Sequence, residues 1–563
     1  MVTRCFSRIV LTDCFFLFLL LFAAADIEAG VATPHEARQV VSGWLTDNVE
    51  LFGVPLGRDI ADVEAFAGID GQPIYYLVHL SPSGFVVVSA DDLVEPIVAF
   101  ADAADYEPSD DDPLTTLLAG DLNQRIAAAY ESASNRLQAQ SLTPAQSKWQ
   151  ELIGRADRTP DEIGILGQKT ISDVRVAPLV KTRWSQSSVC SAYCYNYYTP
   201  NHYLSGCVAT AMAQLMYYHQ YPAMGIGQRS FTVGVAGNDQ GVYTRGGNGS
   251  GGPYSWDDMV LSPGCSTTPE QRQAIGALCY DAGLAVGMEY GASASYADAF
   301  AIPDGLTEVF RFTNAVNGAN GGKEIGTGLV GMINPNLDAE LPVLLTLLGN
   351  GGHAIVADGY GYDLSAQTRT LYHHLNMGWA GTSDLWYNLP DAGNYNAVVA
   401  CVYNIFTEGQ GEIISGRVTD ASGQPLGGAT VRAKSHDSMY EATTSDKGIY
   451  ALVRLPSDSP FAIEVGKPGF AFPQQAVATG LSRDWKASSG NLWGVDFVGI
   501  STVDSDEDND VDFTDFAFLA SEPWSYPDLA ALVANWLTGV TPPQSIQILS
   551  ISDNRIAFPS PIE

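Results

Sequence analysis

Residues 204–216 read LSGCVATAMAQLM, and this stretch decides how the rest of the chain is interpreted. Gly206 predicts a turn, and the almost uncharged run after it predicts a buried helix that begins at Cys207. Unpaired backbone N–H groups and the dipole at a helix start favour a thiolate. Cys207 is therefore a candidate nucleophile, and the alternative is an ordinary buried, apolar cysteine.

A thiolate nucleophile needs a base, and the base needs a group that orients it. His353 follows two glycines at the start of a predicted strand, and Asn376 lies farther on in a second predicted strand. The Asn376 side chain is suited to accept the imidazole N–H and fix the ring. Gln186, 21 residues before Cys207, offers an amide that can stabilise an oxyanion.

The order Gln, Cys, His, Asn with these flanks resembles the papain-like cysteine peptidases, and in detail the streptopain family of secreted bacterial peptidases. The resemblance spans roughly residues 30 to 408. The stretches that carry it are GCVATA at 206–211, YYHQYP at 217–222, GHA at 352–354, DGY at 358–360, and Asn376 with Gly378 and Trp379.

The resemblance implies a role for each candidate residue. Cys207 is the nucleophile, His353 the general base and then the general acid, and Asn376 orients His353. Gln186 joins the Cys207 backbone N–H in an oxyanion hole, and Trp379 packs beside the His–Asn pair. One departure stands out: the family has tryptophan directly after the asparagine, where this chain has Met377. We expect it to alter activity or the site geometry.

The N-terminus predicts secretion. Arg4 and Arg8 precede an apolar run of twelve at 14–25, which fits a signal peptide over 1–29 and is too short to span a bilayer unaided. An uncleaved anchor helix is the alternative. Removal of this segment leaves six cysteines: Cys190, Cys194, Cys207, Cys265, Cys279 and Cys401. Cys190 and Cys194 are close enough in sequence to bridge, but one sequence does not reveal the pairing.

Residues 30–177 are predicted to form an inhibitory α+β propeptide and a linker. A helix over 35–45, strands at 74–78 and 84–88, and a helix over 117–138 follow from the apolar periodicity. The polar stretch 139–177 indicates an exposed connection, in which Lys148, Arg155, Arg158 and Lys169 suit cleavage. An accessory domain that stays attached is the alternative.

Two modules follow the catalytic domain predicted at 178–410. Short β-type runs over 411–500 predict an all-β sandwich that resembles the carboxypeptidase regulatory-like domain and is expected to act as a spacer or weak binding module. Residues 501–540 resemble a small α dockerin-like module, and 541–563 form a tail. The acidic loop of the dockerin-like module predicts a Ca²⁺ site, with a solvated acidic linker as the alternative. The proposed ligands are Asp504, Asp506, Asp508, Asp510 and Asp515.

Charge narrows the classes of partner. The 563 residues include 63 acidic and 28 basic side chains, a net charge of −35, which repels nucleic acids and anionic membranes. We therefore predict a multidomain, secreted or surface-associated cysteine endopeptidase, made as a zymogen. It would act on proteins or peptides without a catalytic cofactor and reach a cell-surface or matrix partner through its C-terminal modules. The alternatives are a catalytically impaired surface-binding protein and a papain-like acyl transferase.

Overall fold

The computed structural model describes residues 30–502 except 47–50, 69–70, 103–105, 107, 109–111, 135–141, 157–171, 348–351, 366–367, 390–397 and 437. The predicted signal peptide, the dockerin-like module with its acidic loop, and the tail lie outside these residues. Among the described residues, no helix is both long and apolar enough to cross a bilayer.

In the part of the N-terminal segment that the structure describes, there are three helices and four antiparallel strands. The helices are α1 (Pro34–Thr46), α2 (Pro113–Ser134) and α3 (Pro144–Ala156), and the strands are β1 (Asp59–Ala67), β2 (Pro73–Ser81), β3 (Phe85–Ser89) and β4 (Ile97–Ala101). Trp44 of α1 and Trp149 of α3 share one apolar core with β2, β3 and β4. The helices and strands predicted here are confirmed, within a few residues at their ends.

The predicted linker is wrong over its first part. Helix α3 lies inside 139–177, and its Lys148 is only 1% exposed. Residues Ser172–Val176 form strand β5, which pairs with a strand of the catalytic segment. The predicted connection can therefore include only the residues between α3 and β5, which lie outside the described residues, and Lys148 is not an accessible cleavage point.

The catalytic segment places one buried helix against a sheet. Helix α4 (Cys207–His219) packs in a core with helix α5 (Pro269–Ala285), and helix α6 (Leu329–Asp338) packs on the other face of the sheet. A small sheet, β6 (Ser230–Val235), β7 (Asn238–Tyr243) and β8 (Glu289–Tyr290), flanks α5. The strands of the main sheet are β9 (Asn314–Ala319), β10 (Val343–Leu347), β11 (His353–Asp363), β12 (Thr370–Asn376), β13 (Leu385–Tyr387) and β14 (Val398–Phe406).

The N-terminal and catalytic strands form one continuous sheet. Its order in the described residues is β1-β2-β3-β4-β13-β12-β11-β10-β14-β9, with β5 paired to β11. The junction is the antiparallel pair of β4 and β13, in which Phe100 faces Trp386 and Ala99 faces Tyr387. The N-terminal segment is thus hydrogen-bonded to the sheet that carries the candidate catalytic histidine.

The C-terminal segment is a β-sandwich, as predicted. One sheet contains β15 (Glu412–Asp420), β18 (Ile449–Leu455), β20 (Phe470–Ala471) and β22 (Phe497–Ser501). The other contains β16 (Thr430–Ser435), β17 (Ser438–Thr443), β19 (Pro460–Gly466) and β21 (Gln475–Ala478).

The sandwich is docked on the catalytic segment and is not a free spacer. Ser415 donates a hydrogen bond of 2.7 Å to the buried carboxylate of Asp338, which also accepts one of 2.6 Å from Tyr360. Burial raises the pKa of Asp338 to about 7, although both bonds oppose this rise. Trp485 N–H donates to the Asn317 carbonyl at 2.8 Å, so the sandwich also covers the free edge of β9.

Candidate active site

Helix α4 carries the candidate nucleophile at its first position. Gly206, directly before it, has φ of +87°, a conformation that favours glycine, and a Cβ there would also lie 2.7 Å from Cε of Met288, whose side chain would have to shift. The Cys207 sulfur accepts from the N–H groups of Val208 and Ala354, and it is a hydrogen-bond partner of His353. Burial raises the pKa of Cys207, but the His353 interaction and these N–H groups outweigh it, so the pKa lies below its ordinary value.

His353 begins strand β11 and is buried beside Cys207. Its Nε2 lies 2.9 Å from the backbone carbonyl oxygen of Met377, which leaves Nδ1 for the thiol. Burial lowers the pKa of His353, whereas Cys207, the Met377 carbonyl and Asp112 raise it, and the net shift is upward. A lowered thiol pKa next to a raised imidazole pKa favours a thiolate–imidazolium pair.

The predicted contact between Asn376 and His353 is wrong in its geometry. The Asn376 side-chain oxygen accepts from Gln214 Nε2 at 2.9 Å and from the Gly378 N–H at 3.1 Å, while its nitrogen donates to the Thr182 carbonyl at 2.8 Å. The amide is thus engaged with α4 and with the segment before Gln186. The bond expected from it is made by the Met377 carbonyl.

Gln186 lies at the predicted place beside the nucleophile. Its carbonyl accepts from the Ser205 N–H at 2.9 Å, and the neighbouring Ser185 carbonyl accepts from the Thr210 hydroxyl at 3.2 Å. These bonds hold the Gln186 backbone against the start of α4. The described contacts show no partner for the Gln186 amide group, so its oxyanion role stays a prediction.

Trp379 packs beside His353, as predicted. The two rings meet edge to face, with centroids 6.1 Å apart. Met377 is 1% exposed, and its side chain lies in the main apolar core. The residue that departs from the family pattern therefore acts on His353 through its backbone, which methionine and tryptophan share.

A second polar cluster lies behind Met377. Asp384 Oδ1 accepts the Met377 N–H at 2.9 Å, and His374 Nδ1 lies 2.6 Å from Asp358 Oδ1. Burial raises the pKa of Asp384 to about 6, against the lowering effect of His374 and the Met377 N–H. Asp358 also accepts the Val180 N–H at 2.7 Å, so it serves the buried framework.

The N-terminal segment approaches the site from α2. Asp112 directly precedes this helix and accepts the Leu114 N–H at 2.7 Å, which caps the helix. Its carboxylate is near enough to His353 to raise the pKa of the imidazole.

Two other buried polar clusters, one around Lys148 and one around Asp121, anchor the N-terminal segment. Lys148 bonds to Glu95 at 2.6 Å, to Thr370 at 2.8 Å and to Asp363 at 3.1 Å. In the second cluster, Asp121 accepts from the Tyr387 hydroxyl at 2.5 Å and pairs with Arg125 at 2.6 Å. Each cluster joins a charge of the N-terminal segment to the catalytic sheet.

One disulfide stabilises the loop between Gln186 and Cys207. It joins Cys190 to Cys265, so Cys194, the other bridging candidate, is free and buried. Among the described residues, Cys207 is the free cysteine that is partly exposed, since Cys194, Cys279 and Cys401 are buried. The described residues contain no group of three metal-ligating side chains, and the predicted Ca²⁺ ligands lie outside them.

Sequence reasoning missed Gln214 and Asp384. Gln214 lies seven residues after Cys207, on the face of α4 that meets Asn376, and its amide in an otherwise apolar helix was the available signal. No signal in the sequence pointed to Asp384, because its partner is a backbone N–H.

The segment that carries this geometry can be compared with known proteins. Residues 184–387 match the Peptidase C10 family. The predicted resemblance to the streptopain-like peptidases is thereby confirmed. Residues 29–126 match the Spi protease inhibitor family, and residues 413–484 match the carboxypeptidase regulatory-like domain.

Individual relatives agree with the C10 match. Streptopain of Streptococcus pyogenes serotype M1 is 32% identical over 208 residues, which are 35% of this chain and 48% of that protein. The thiol protease/hemagglutinin PrtT of Porphyromonas gingivalis is 26% identical over 193 residues, 34% of this chain and 21% of that protein. This chain thus spans about half the length of the streptopains it matches. A Prevotella intermedia prointerpain A fragment overlaps at a TM-score of 0.45 with 22% identity, covering 62% of this chain and 99% of that one.

Proposed function

We propose that the chain is a secreted cysteine endopeptidase made as a zymogen. The observation that carries the proposal is the hydrogen-bonded pair of Cys207, at the start of α4, and His353, on β11. The C10 match over 184–387 and the streptopain relatives support the same reaction.

In the proposed mechanism, the Cys207 thiolate attacks the carbonyl carbon of a peptide bond. The oxyanion that forms accepts from the Cys207 backbone N–H and the Gln186 amide. The His353 imidazolium gives its proton to the departing amine, and a thioester remains on Cys207. Neutral His353 then takes a proton from water, which hydrolyses the thioester.

Residues 30–156 are proposed to keep the enzyme latent. The match to a protease inhibitor family, the shared sheet at β4 and β13, and the position of Asp112 near His353 support this role. Activation would follow cleavage after Ala156 and before Ser172, where Arg158 and Lys169 lie in the sequence.

The test uses casein and a quenched peptide with the full chain and its Cys207→Ala variant. We expect hydrolysis by the wild type only, abolished by iodoacetamide. An added amine acceptor separates the transferase alternative, because a transferase would give mainly amide product where a peptidase gives mainly free acid. If wild type and variant are both inert after the connection between α3 and β5 is cut, the proposal fails and a binding role replaces it.

A further inference from the structure

The bond that fixes His353 comes from Met377, a residue whose backbone is hydrogen-bonded at both its C=O and its N–H. The Met377 carbonyl accepts from His353 Nε2 at 2.9 Å, and the Met377 N–H donates to Asp384 Oδ1 at 2.9 Å. Asn376, the expected partner, is instead bonded to Gln214, Gly378 and Thr182.

We propose that Asp384 is a positioning residue that stabilises the His353 imidazolium through the Met377 backbone. This inference rests on the proposed function. Asp384 orients the segment that carries the Met377 carbonyl, and its negative charge favours a positive imidazole on the other side of the Met377 backbone. Because Met377 contacts His353 and Asp384 through its backbone C=O and N–H, its side chain does not have to take the place of the tryptophan ring of the family pattern.

Other charged groups surround these contacts. Three charged groups act on Asp384: His374 on β12, Asp358 on β11 and Arg183 in the segment before Gln186. Lys181 acts on His374, and Asp112 acts on His353. The inference therefore needs a readout at Cys207 itself, compared between variants that change one charge at a time.

The experiment measures how fast iodoacetamide alkylates Cys207 in the full chain, as a function of pH, by mass spectrometry of the Cys207 peptide. Only the thiolate reacts, so the rate follows the ion pair with His353. Asp384→Asn keeps an oxygen for the Met377 N–H but removes the charge. We expect the alkaline-side midpoint, at which the His353 imidazolium loses its proton, to fall by about half a unit to one unit, roughly a three- to tenfold change in that equilibrium, because Asp384 carries its charge above about pH 6.

Asp281→Asn is the matched control. Like Asp384, Asp281 is an aspartate that accepts backbone N–H groups, those of Arg245 and Gly246, and its pKa is likewise raised to about 6 by burial. Its partners belong to a different part of the chain, so its variant should leave the alkylation midpoint unchanged. Thermal unfolding of all variants reports whether each one is folded.

The outcomes separate the two proposals. A shifted midpoint in Asp384→Asn alone supports the positioning role. If wild type titrates as an ion pair and Asp384→Asn matches it, the positioning role is overturned and the proposed function stands. If Cys207 of the wild type titrates like an ordinary thiol, with a pKa of about 8.5, both proposals fail.

Discussion

Replacing Lys148 with methionine should loosen the N-terminal segment from the catalytic sheet. The ammonium group is buried between Glu95 and Asp363, and Asp363 also accepts from the Trp44 indole at 3.2 Å. Methionine keeps the apolar stem and leaves two carboxylates without their cation. Breaking a buried ion pair by removing one partner costs about 3–5 kcal/mol. That cost increases the opening equilibrium by between roughly a hundredfold and several thousandfold.

Hydrogen exchange of the amides in β13, which pairs with β4, measures this opening in a Cys207→Ala background that prevents self-cleavage. We expect exchange at least about a hundredfold faster in Lys148→Met, whereas Lys434→Met, which removes an exposed pair with Glu464, should change it little. Burial already raises the pKa of Glu95 and Lys148 lowers it, so loss of the ammonium raises this pKa further; the destabilisation should therefore be largest at neutral pH and shrink as Glu95 becomes protonated in acid. Exchange within threefold of the parent at pH 8 would refute the anchoring role of Lys148.

Three further changes test other parts of the structure. Ser415→Ala should lower the free energy of unfolding by about 1–3 kcal/mol in denaturant titrations, because Asp338 loses a buried donor; Ser422→Ala, which removes an exposed bond, is the control and should be silent. Met377→Ala should cost about 2–5 kcal/mol of stability yet keep the pH dependence of Cys207 alkylation, and a lost ion pair would contradict the backbone role. Gln214→Leu should lower kcat on peptides more than it slows alkylation, because Thr182, Trp184 and Asn376 lose their shared partner near the oxyanion segment; an equal loss in both would argue for general unfolding.

The candidate nucleophile and base could be predicted because their signals are local. A glycine turn before an uncharged run marks the start of α4 at Cys207, and a β-type run after two glycines marks the start of β11 at His353. Neighbouring residues set both patterns, so one sequence is enough to find them.

The contacts that set the details join distant parts of the chain. Asn376 was assigned to His353, but Gln214, 162 residues earlier, takes its side-chain oxygen. Lys148 lies in a polar stretch, yet it is buried against Asp363, 215 residues later. The sandwich was expected to be a spacer or weak binding module, and tertiary contacts such as those of Ser415 with Asp338 and of Trp485 with Asn317 show that it is docked. The type of a side chain does not reveal its hydrogen-bond or ion-pair partner when tertiary packing brings that partner from a distant part of the chain.

Following the mass of the full chain over time tests the central claim most directly. Wild type and Cys207→Ala are incubated under mild reduction, and new termini are located by mass spectrometry. The account predicts cleavage after Ala156 and before Ser172 in the wild type alone, accompanied by the onset of peptide hydrolysis. Equal processing in both proteins, or a wild type that stays inert once its N-terminal segment has been removed, would contradict a self-activating peptidase built on Cys207 and His353.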